Sequence, residues 1–140
     1  MNYRIEQDFL GELKIPHDAY YGVHTARALA NFNLPNYHLT HNYLIQGFAK
    51  VKIAAANANY RTGKINSETC KAIIFACEQI LAGKYLDQFT IPAIQGGAGT
   101  STNMNANEVI ANIGLEYLGH KKGRYKSALS LCTKPQLTQV

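Results

Sequence analysis

A chain of 140 residues fits one domain and buries a core without help from disulfides, since a domain of this size hides roughly two-thirds of the surface its unfolded chain exposes. With 46% hydrophobic residues, 16% charged residues and 4 prolines, the composition excludes disordered, fibrous and membrane-spanning classes. The net charge of +5 owes much to His120, Lys121, Lys122, Arg124 and Lys126, a run that reads as a solvated helix end; it lacks the aromatic interleaving of a nucleic-acid binder, so neither nucleic acid nor membrane is an expected partner.

The three cysteines, Cys70, Cys77 and Cys132, are odd in number and lack C-x-x-C spacing, which argues against a disulfide framework and a zinc site. Cys70 and Cys77 fall on one face of an apolar periodic stretch and read as core residues. The charged N-terminus MNYRIEQDFLGELK does not read as a signal peptide, and a reducing cytoplasm is the expected location.

Along the chain, Tyr3, Ile5, Phe9, Leu13 and Ile15 alternate weakly around Gly11, predicting two short strands in a hairpin before Pro16. A short helix is expected in the twenties, after Asp18 and before the turn-prone 33–36 segment. From 41 to 60 the positions Leu44, Phe48, Val51, Ala55 and Ala58 recur at helical spacing and predict an inward face, with Gly63 as the stop. Asn66 is placed to cap the next helix, with Ile65 and Cys70 as a hydrophobic staple. That helix should turn Ile73, Cys77 and Ile80 inward and end at Gly83.

Pro92, Gly96, Gly97 and Gly99 make 84–101 a loop. Ala106, Ile110, Ile113 and Tyr117 then predict a helical face, with Ser101 or Thr102 suited to cap its start. The expected fold class is mainly α, several helices with a small N-terminal β-hairpin.

The run Gln95-Gly96-Gly97-Ala98-Gly99-Thr100-Ser101-Thr102-Asn103-Met104-Asn105-Ala106-Asn107-Glu108 concentrates glycines, hydroxyls and amides at a helix start. Glycines let backbone N–H groups face outward, the helix end adds partial positive charge, and Thr100 or Ser101 can donate to an oxyanion. Two readings stay open on the residues alone: a carboxylate- or phosphate-binding loop, and a plain glycine loop that caps a helix. A nucleotide phosphate loop is excluded because no lysine follows the glycines, and a dinucleotide fingerprint because their spacing is wrong. His17, His24, His38, His41 and His120 do not show metal-ligand spacing, and Glu108, Asp87 and Asp18 have no evident paired carboxylate, so no metal site and no catalytic residue is assigned.

Three stretches resemble the aspartase/fumarase superfamily, and within it the aspartate ammonia-lyases: residues 15–25, which contain Asp18-Ala19-Tyr20-Tyr21-Gly22-Val23; Asp87-Gln88-Phe89 leading into Gln95-Gly96-Gly97-Ala98-Gly99-Thr100-Ser101; and Asn103-Met104-Asn105-Ala106-Asn107-Glu108-Val109-Ile110-Ala111-Asn112. Fumarases share the Asn103–Val109 part of the third stretch but usually carry T-G-S-G-T-Q where this chain has residues 96–101, so a fumarase-type lyase is the lesser match. The resemblance implies the N-terminal domain of that fold and the conversion of L-aspartate to fumarate and ammonia without an organic cofactor. It also implies a homotetramer whose active sites each draw on three subunits, and it places Thr100 and Ser101 among the groups that hold the substrate carboxylate.

The likeness covers about residues 4–125. Past Tyr125 the family pattern continues as P-N-D-H-V-N and Q-S-T-N-D, whereas this chain reads Ser127-Ala128-Leu129-Ser130-Leu131-Cys132 onward. The expected organisation is an aspartase-like domain over 1–125 and a divergent tail over 126–140, as a premature end or a frame change in the gene would produce. The family's catalytic serine loop has no counterpart in the chain, so an inactive domain is expected; the alternative is a non-catalytic association module that docks on full-length lyase subunits.

Overall fold

The computed structural model describes residues 2–34, 37–95 and 99–125. Gly96 and Gly97, Lys126, Cys132 and the whole 126–140 tail lie outside the described residues.

Strand β1 (Tyr3–Asp8) pairs antiparallel with β2 (Gly11–Pro16), from Tyr3 opposite Pro16 to Asp8 opposite Gly11. Phe9 and Leu10 make the turn, where the Asp8 carboxylate accepts the Leu10 N–H at 2.9 Å and Gly11 takes a φ of 110°. The hairpin stands as predicted. Helices follow at α1 (Val23–Asn31), α2 (Asn42–Arg61), α3 (Ser67–Leu81) and α4 (Thr100–Tyr117), with one 3-10 turn at Leu86–Gln88.

Local chemistry sets the ends of α2 and α3. Gly63 has a φ of 69°, its N–H reaching the Tyr60 carbonyl at 3.0 Å and that of Lys64 the Asn59 carbonyl at 2.8 Å. Gly83 closes α3 in the same way, with Lys84 donating to Gln79 at 3.0 Å. At the other end of α3, the Asn66 side chain accepts the Thr69 N–H at 2.7 Å, and Ile65 and Cys70 are both buried beside it, as the staple requires.

The core lies among α2, α3 and α4. Ile73, Cys77 and Ile80 of α3 point into it as expected and meet Ile45 and Ala49 of α2 and Val109 and Ile113 of α4. Burying each large aliphatic side chain of this kind stabilises by roughly 1.5–3 kcal/mol.

Two helix faces differ from the sequence expectation. On α2 the buried line is Ile45, Ala49, Lys52 and Ala56, one position round from the predicted one, while Leu44 and Val51 are about half exposed. Both stripes carry apolar residues, so periodicity defines the helix without choosing which side meets α3. On α4, Ala106, Ile110 and Ile113 are buried but Tyr117 is half exposed and stacks on Phe75 of α3, ring centroids 4.5 Å apart. From Asn105 to Leu115 α4 is buried all round, polar residues included, which marks it as the central helix.

Candidate functional site

Described residues of the three stretches that carry the resemblance, Tyr20, Gln88, Asn105 and Asn112, are joined by hydrogen bonds between segments far apart in sequence. Tyr20 is held from two sides: its N–H donates to Gln88 Oε1 at 2.7 Å and its carbonyl accepts from Asn112 Nδ2 at 2.7 Å. Asn105 Nδ2 in turn donates to the Gln88 carbonyl at 3.1 Å. Arg4 gathers the carbonyls of Pro16, His17, Ala19 and Tyr21 at 2.7–3.2 Å and donates from Nε to Glu6 at 2.8 Å.

Glu108 is the centre of this junction. Its carboxylate accepts the N–H groups of Gly22, His24 and Thr25 at 2.9, 2.8 and 3.1 Å, and the Thr25 hydroxyl at 2.7 Å. Glu6 takes the remaining first-turn donor, the Val23 N–H, at 3.0 Å. Residue Gly22, which precedes α1, has no side chain to cap the helix, so two carboxylates from other elements satisfy its N-terminal donors and complement its dipole. The sequence offers no evident carboxylate partner for Glu108; the structure buries it beside Glu6, with the Tyr125 hydroxyl 3.2 Å from Glu6 Oε2 and 3.0 Å from Asn112 Nδ2.

A side chain at position 22 would not fit: a Cβ there would lie 2.6 Å from Glu6 Oε2, 2.6 Å from Tyr125 Oη and 2.8 Å from Glu108 Oε1. Burial pushes the Glu108 pKa up, outweighing the hydrogen bonds from Thr25, His24 and Gly22 that favour the charged form. Burial likewise raises the Tyr125 phenol, helped by the negative charges of Glu6 and Glu108.

By fixing α1 against α4, the junction shapes an open recess of about 830 Å³ beside it. Thr100, Ser101 and Met104 line one side, and His24 and Arg27 of α1 and Asp8 of the hairpin line the other. Arg27 is bound to Asp8 through Nε at 2.7 Å and Nη2 at 2.9 Å, and it holds the Asp8 carboxyl below the usual carboxylate range.

The two site residues named from the sequence, Thr100 and Ser101, are thus adjacent on this recess, exposed and half-buried respectively. The capping role expected of Ser101 or Thr102 is corrected. Gly99, with a φ of 78°, is the residue before α4; Ser101 and Thr102 sit in its first turn, and no side chain caps it. Thr102 instead accepts Gln95 Nε2 at 2.5 Å. The first-turn N–H groups of a helix have no acceptor within it, so the start of α4, whose Thr100 and Ser101 line the recess, carries donors and partial positive charge.

The basic run of 120–126 is only partly a solvated helix end. Lys122 Nζ sits 4.2 Å from the centre of the Tyr20 ring, donates to the Asp18 carbonyl at 3.2 Å and lies 3.7 Å from Glu116. The Tyr20 phenol donates to Glu116 at 2.5 Å, and its pKa is raised first by burial and then by that bond. Cys70 and Cys77 are buried core residues, as read. Among the described residues no helix is long and apolar enough to cross a membrane, and no three His, Cys, Asp or Glu side chains group as metal ligands.

Comparison with known proteins gives this arrangement a family. The lyase family model matches residues 11–132. The chain belongs to the lyase family. Among its relatives, the aspartate ammonia-lyase of Helicobacter pylori (strain J99) is 52% identical over 124 residues, which are 88% of this chain and 26% of that protein. The aspartate ammonia-lyase of Pseudomonas aeruginosa is 53% identical over 124 residues, again 88% and 26%.

Of solved structures, the fumarate lyase:delta crystallin from Brucella melitensis superposes with a TM-score of 0.85 at 47% identity, covering 90% of this chain and 28% of that one. The class II fumarase from Schistosoma mansoni gives 0.81 at 34% identity, covering 88% and 26%. This lyase chain therefore spans about a quarter of the length of the curated relatives it matches. The mainly α architecture with its N-terminal hairpin is that of these lyases.

Proposed function

We propose that this chain is the N-terminal part of an aspartate ammonia-lyase and supplies the wall of the active site that holds a substrate carboxylate through Thr100 and Ser101. The observation that carries the reading is the placement of those two hydroxyls on a helix start without a side-chain cap, at the edge of an open recess. The preference for an aspartase over a fumarase rests on 52–53% identity to aspartate ammonia-lyases against 34% to the class II fumarase.

The chemistry asks for such a wall. Removing the proton next to the β-carboxylate of L-aspartate puts a second negative charge on that carboxylate as an enediolate, which then expels ammonia and leaves fumarate. Hydroxyl and N–H donors already aimed at that carboxylate stabilise the extra charge without reorganising. The chain spans about a quarter of the length of the aspartate ammonia-lyases it matches, and turnover is expected to need the other segments of a full-length lyase. The working assembly is a cytoplasmic homotetramer in which other segments complete each site.

Absorbance of fumarate, with L-aspartate as substrate, tests the reading on the chain alone and again with the remaining three-quarters of a homologous aspartate ammonia-lyase supplied in trans. Activity is expected only in the mixture. Turnover by the chain alone overturns the inactivity, and a mixture that forms a complex yet stays silent overturns the role of this wall.

A second reading, an association module for full-length lyase subunits, is favoured by the exposure of Phe9 and Leu10 at the hairpin turn and of Leu44 and Val51 on α2. Co-purification with a co-expressed full-length lyase, together with silence in the mixture above, would favour it.

A further inference from the structure

We infer that His24 is a carboxylate-recognising residue of the recess, donating from its imidazolium to the same substrate carboxylate that Thr100 and Ser101 hold. The inference rests on the dicarboxylate reading above and deepens it.

Among the groups lining the recess, three side chains can carry charge: Asp8, His24 and Arg27. Two of them are spent on each other. Arg27 grips Asp8 with two nitrogens, and its Nη2 also donates to the Gly11 carbonyl at 3.1 Å, so the pair contributes no net charge and is fixed in place. The His24 ring is exposed and makes no side-chain hydrogen bond among the described residues; its charge acts on the nearby Asp8 carboxyl, which Arg27 already neutralises.

The N-terminal donors of α1 cannot serve the ligand, because Glu6 and Glu108 have taken them. Positive charge from the α1 side of the recess therefore has to come from the ring of residue 24. Its backbone is anchored for this purpose, with the His24 N–H donating to Glu108 at 2.8 Å, so the ring projects from a point tied directly to α4. A carboxylate against Thr100 and Ser101 then meets neutral and dipolar donors on one side and a cationic donor on the other, a charge-assisted contact that hydroxyls alone cannot make.

The test is a titration of the isotope-labelled chain with fumarate, which the chain alone does not consume, near pH 6. The Thr100 and Ser101 amides and the His24 ring carbons are followed by NMR. In the unaltered chain the ring and the two amides are expected to move with one midpoint. His24→Gln, which keeps the backbone donor to Glu108 and removes the charge, should raise the midpoint about fivefold or more, and His24→Arg should restore it to within about twofold.

Amides that move while the ring stays still, or an unchanged midpoint in His24→Gln, overturn the role of His24 and leave the dicarboxylate reading of the recess standing. If nothing in the unaltered chain responds to fumarate, that reading fails and the inference falls with it. The ring signal in the unaltered chain decides the matter even if a variant does not fold.

Discussion

The α2–α3 pair and the α1–α4 junction are built on opposite principles. The first is apolar and local: capped by residues next to it in sequence, closed by glycines at Gly63 and Gly83, and filled by Ile73, Cys77 and Ile80. The second is polar and long-range. Its central contacts join Glu108 to Gly22, 86 residues away, and Tyr125 to Glu6, 119 residues away. Apolar packing tolerates modest rearrangement, because dispersion and burial are non-directional. A buried carboxylate pair does not, because each oxygen left without its donor costs its full desolvation. The motif that places the Thr100 and Ser101 hydroxyls on the recess is tied into the second kind of construction, where small errors are expensive.

That contrast predicts an order of sensitivities. The largest loss should come from Gly22→Ala, whose added carbon falls within 2.6–2.8 Å of three oxygens belonging to Glu6, Tyr125 and Glu108. Pushing those oxygens apart breaks their hydrogen bonds as well as the packing, and a cost of about 3–5 kcal/mol is expected in urea unfolding, a large share of a typical domain's stability. A loss under about 1 kcal/mol would mean the junction can yield, and the contrast with the apolar core would collapse.

Glu108→Gln should cost less, about 1–3 kcal/mol at neutral pH, since the amide retains one acceptor oxygen and loses the other. Its pH dependence sharpens the comparison. A carboxyl whose pKa is raised on folding contributes stability that is fully present below its unfolded pKa and is lost as pH rises through the folded value. The unaltered chain should therefore gain relative to Glu108→Gln as pH falls from 7 toward about 4.5, the reverse of the usual behaviour of paired carboxylates. Urea midpoints of both proteins at several pH values read this directly, and a difference that narrows with acid would reverse the direction assigned to Glu108.

The smallest effect belongs to the local region. Asn66→Ala removes one cap bond, from the Thr69 N–H at 2.7 Å, and should lower stability by about 1 kcal/mol without touching the recess. If thermal unfolding shows a loss comparable to Gly22→Ala, capping on α3 matters more than the junction.

Much of the fold is legible in the sequence, and the reason is locality. The hairpin, the Asn66 cap with its Ile65–Cys70 staple, and the glycine stops at Gly63 and Gly83 all depend on residues within a few positions of one another. Where legibility failed, a choice had to be made by something distant. Leu44 and Val51 lie on as apolar a stripe as Ile45 and Ala49, and only the docking of α3 and α4 decided which side went in, taking Lys52 with it. Ser101 and Thr102 have the chemistry of caps, yet Gly99 precedes the helix, so that the hydroxyls of Thr100 and Ser101 stay on the recess. Thr100 and Ser101 are marked both by their hydroxyls at the end of a glycine run and by a family resemblance; periodicity has no means of finding the partners of Glu108, Arg4 or Asn112, which lie on other elements.

The sequence by itself determined which segments become helix or strand, where most of them stop, and to which family the chain is similar, because those depend on propensity, spacing and short motifs. Only the tertiary structure decided that the three motif stretches are halves of the same contacts: Tyr20 between Gln88 and Asn112, and the start of α1 on the carboxylates of Glu6 and Glu108. The physical reason is that a buried polar group must find its partner wherever the chain brings one, and no local pattern records the position of an acceptor that lies 86 residues away.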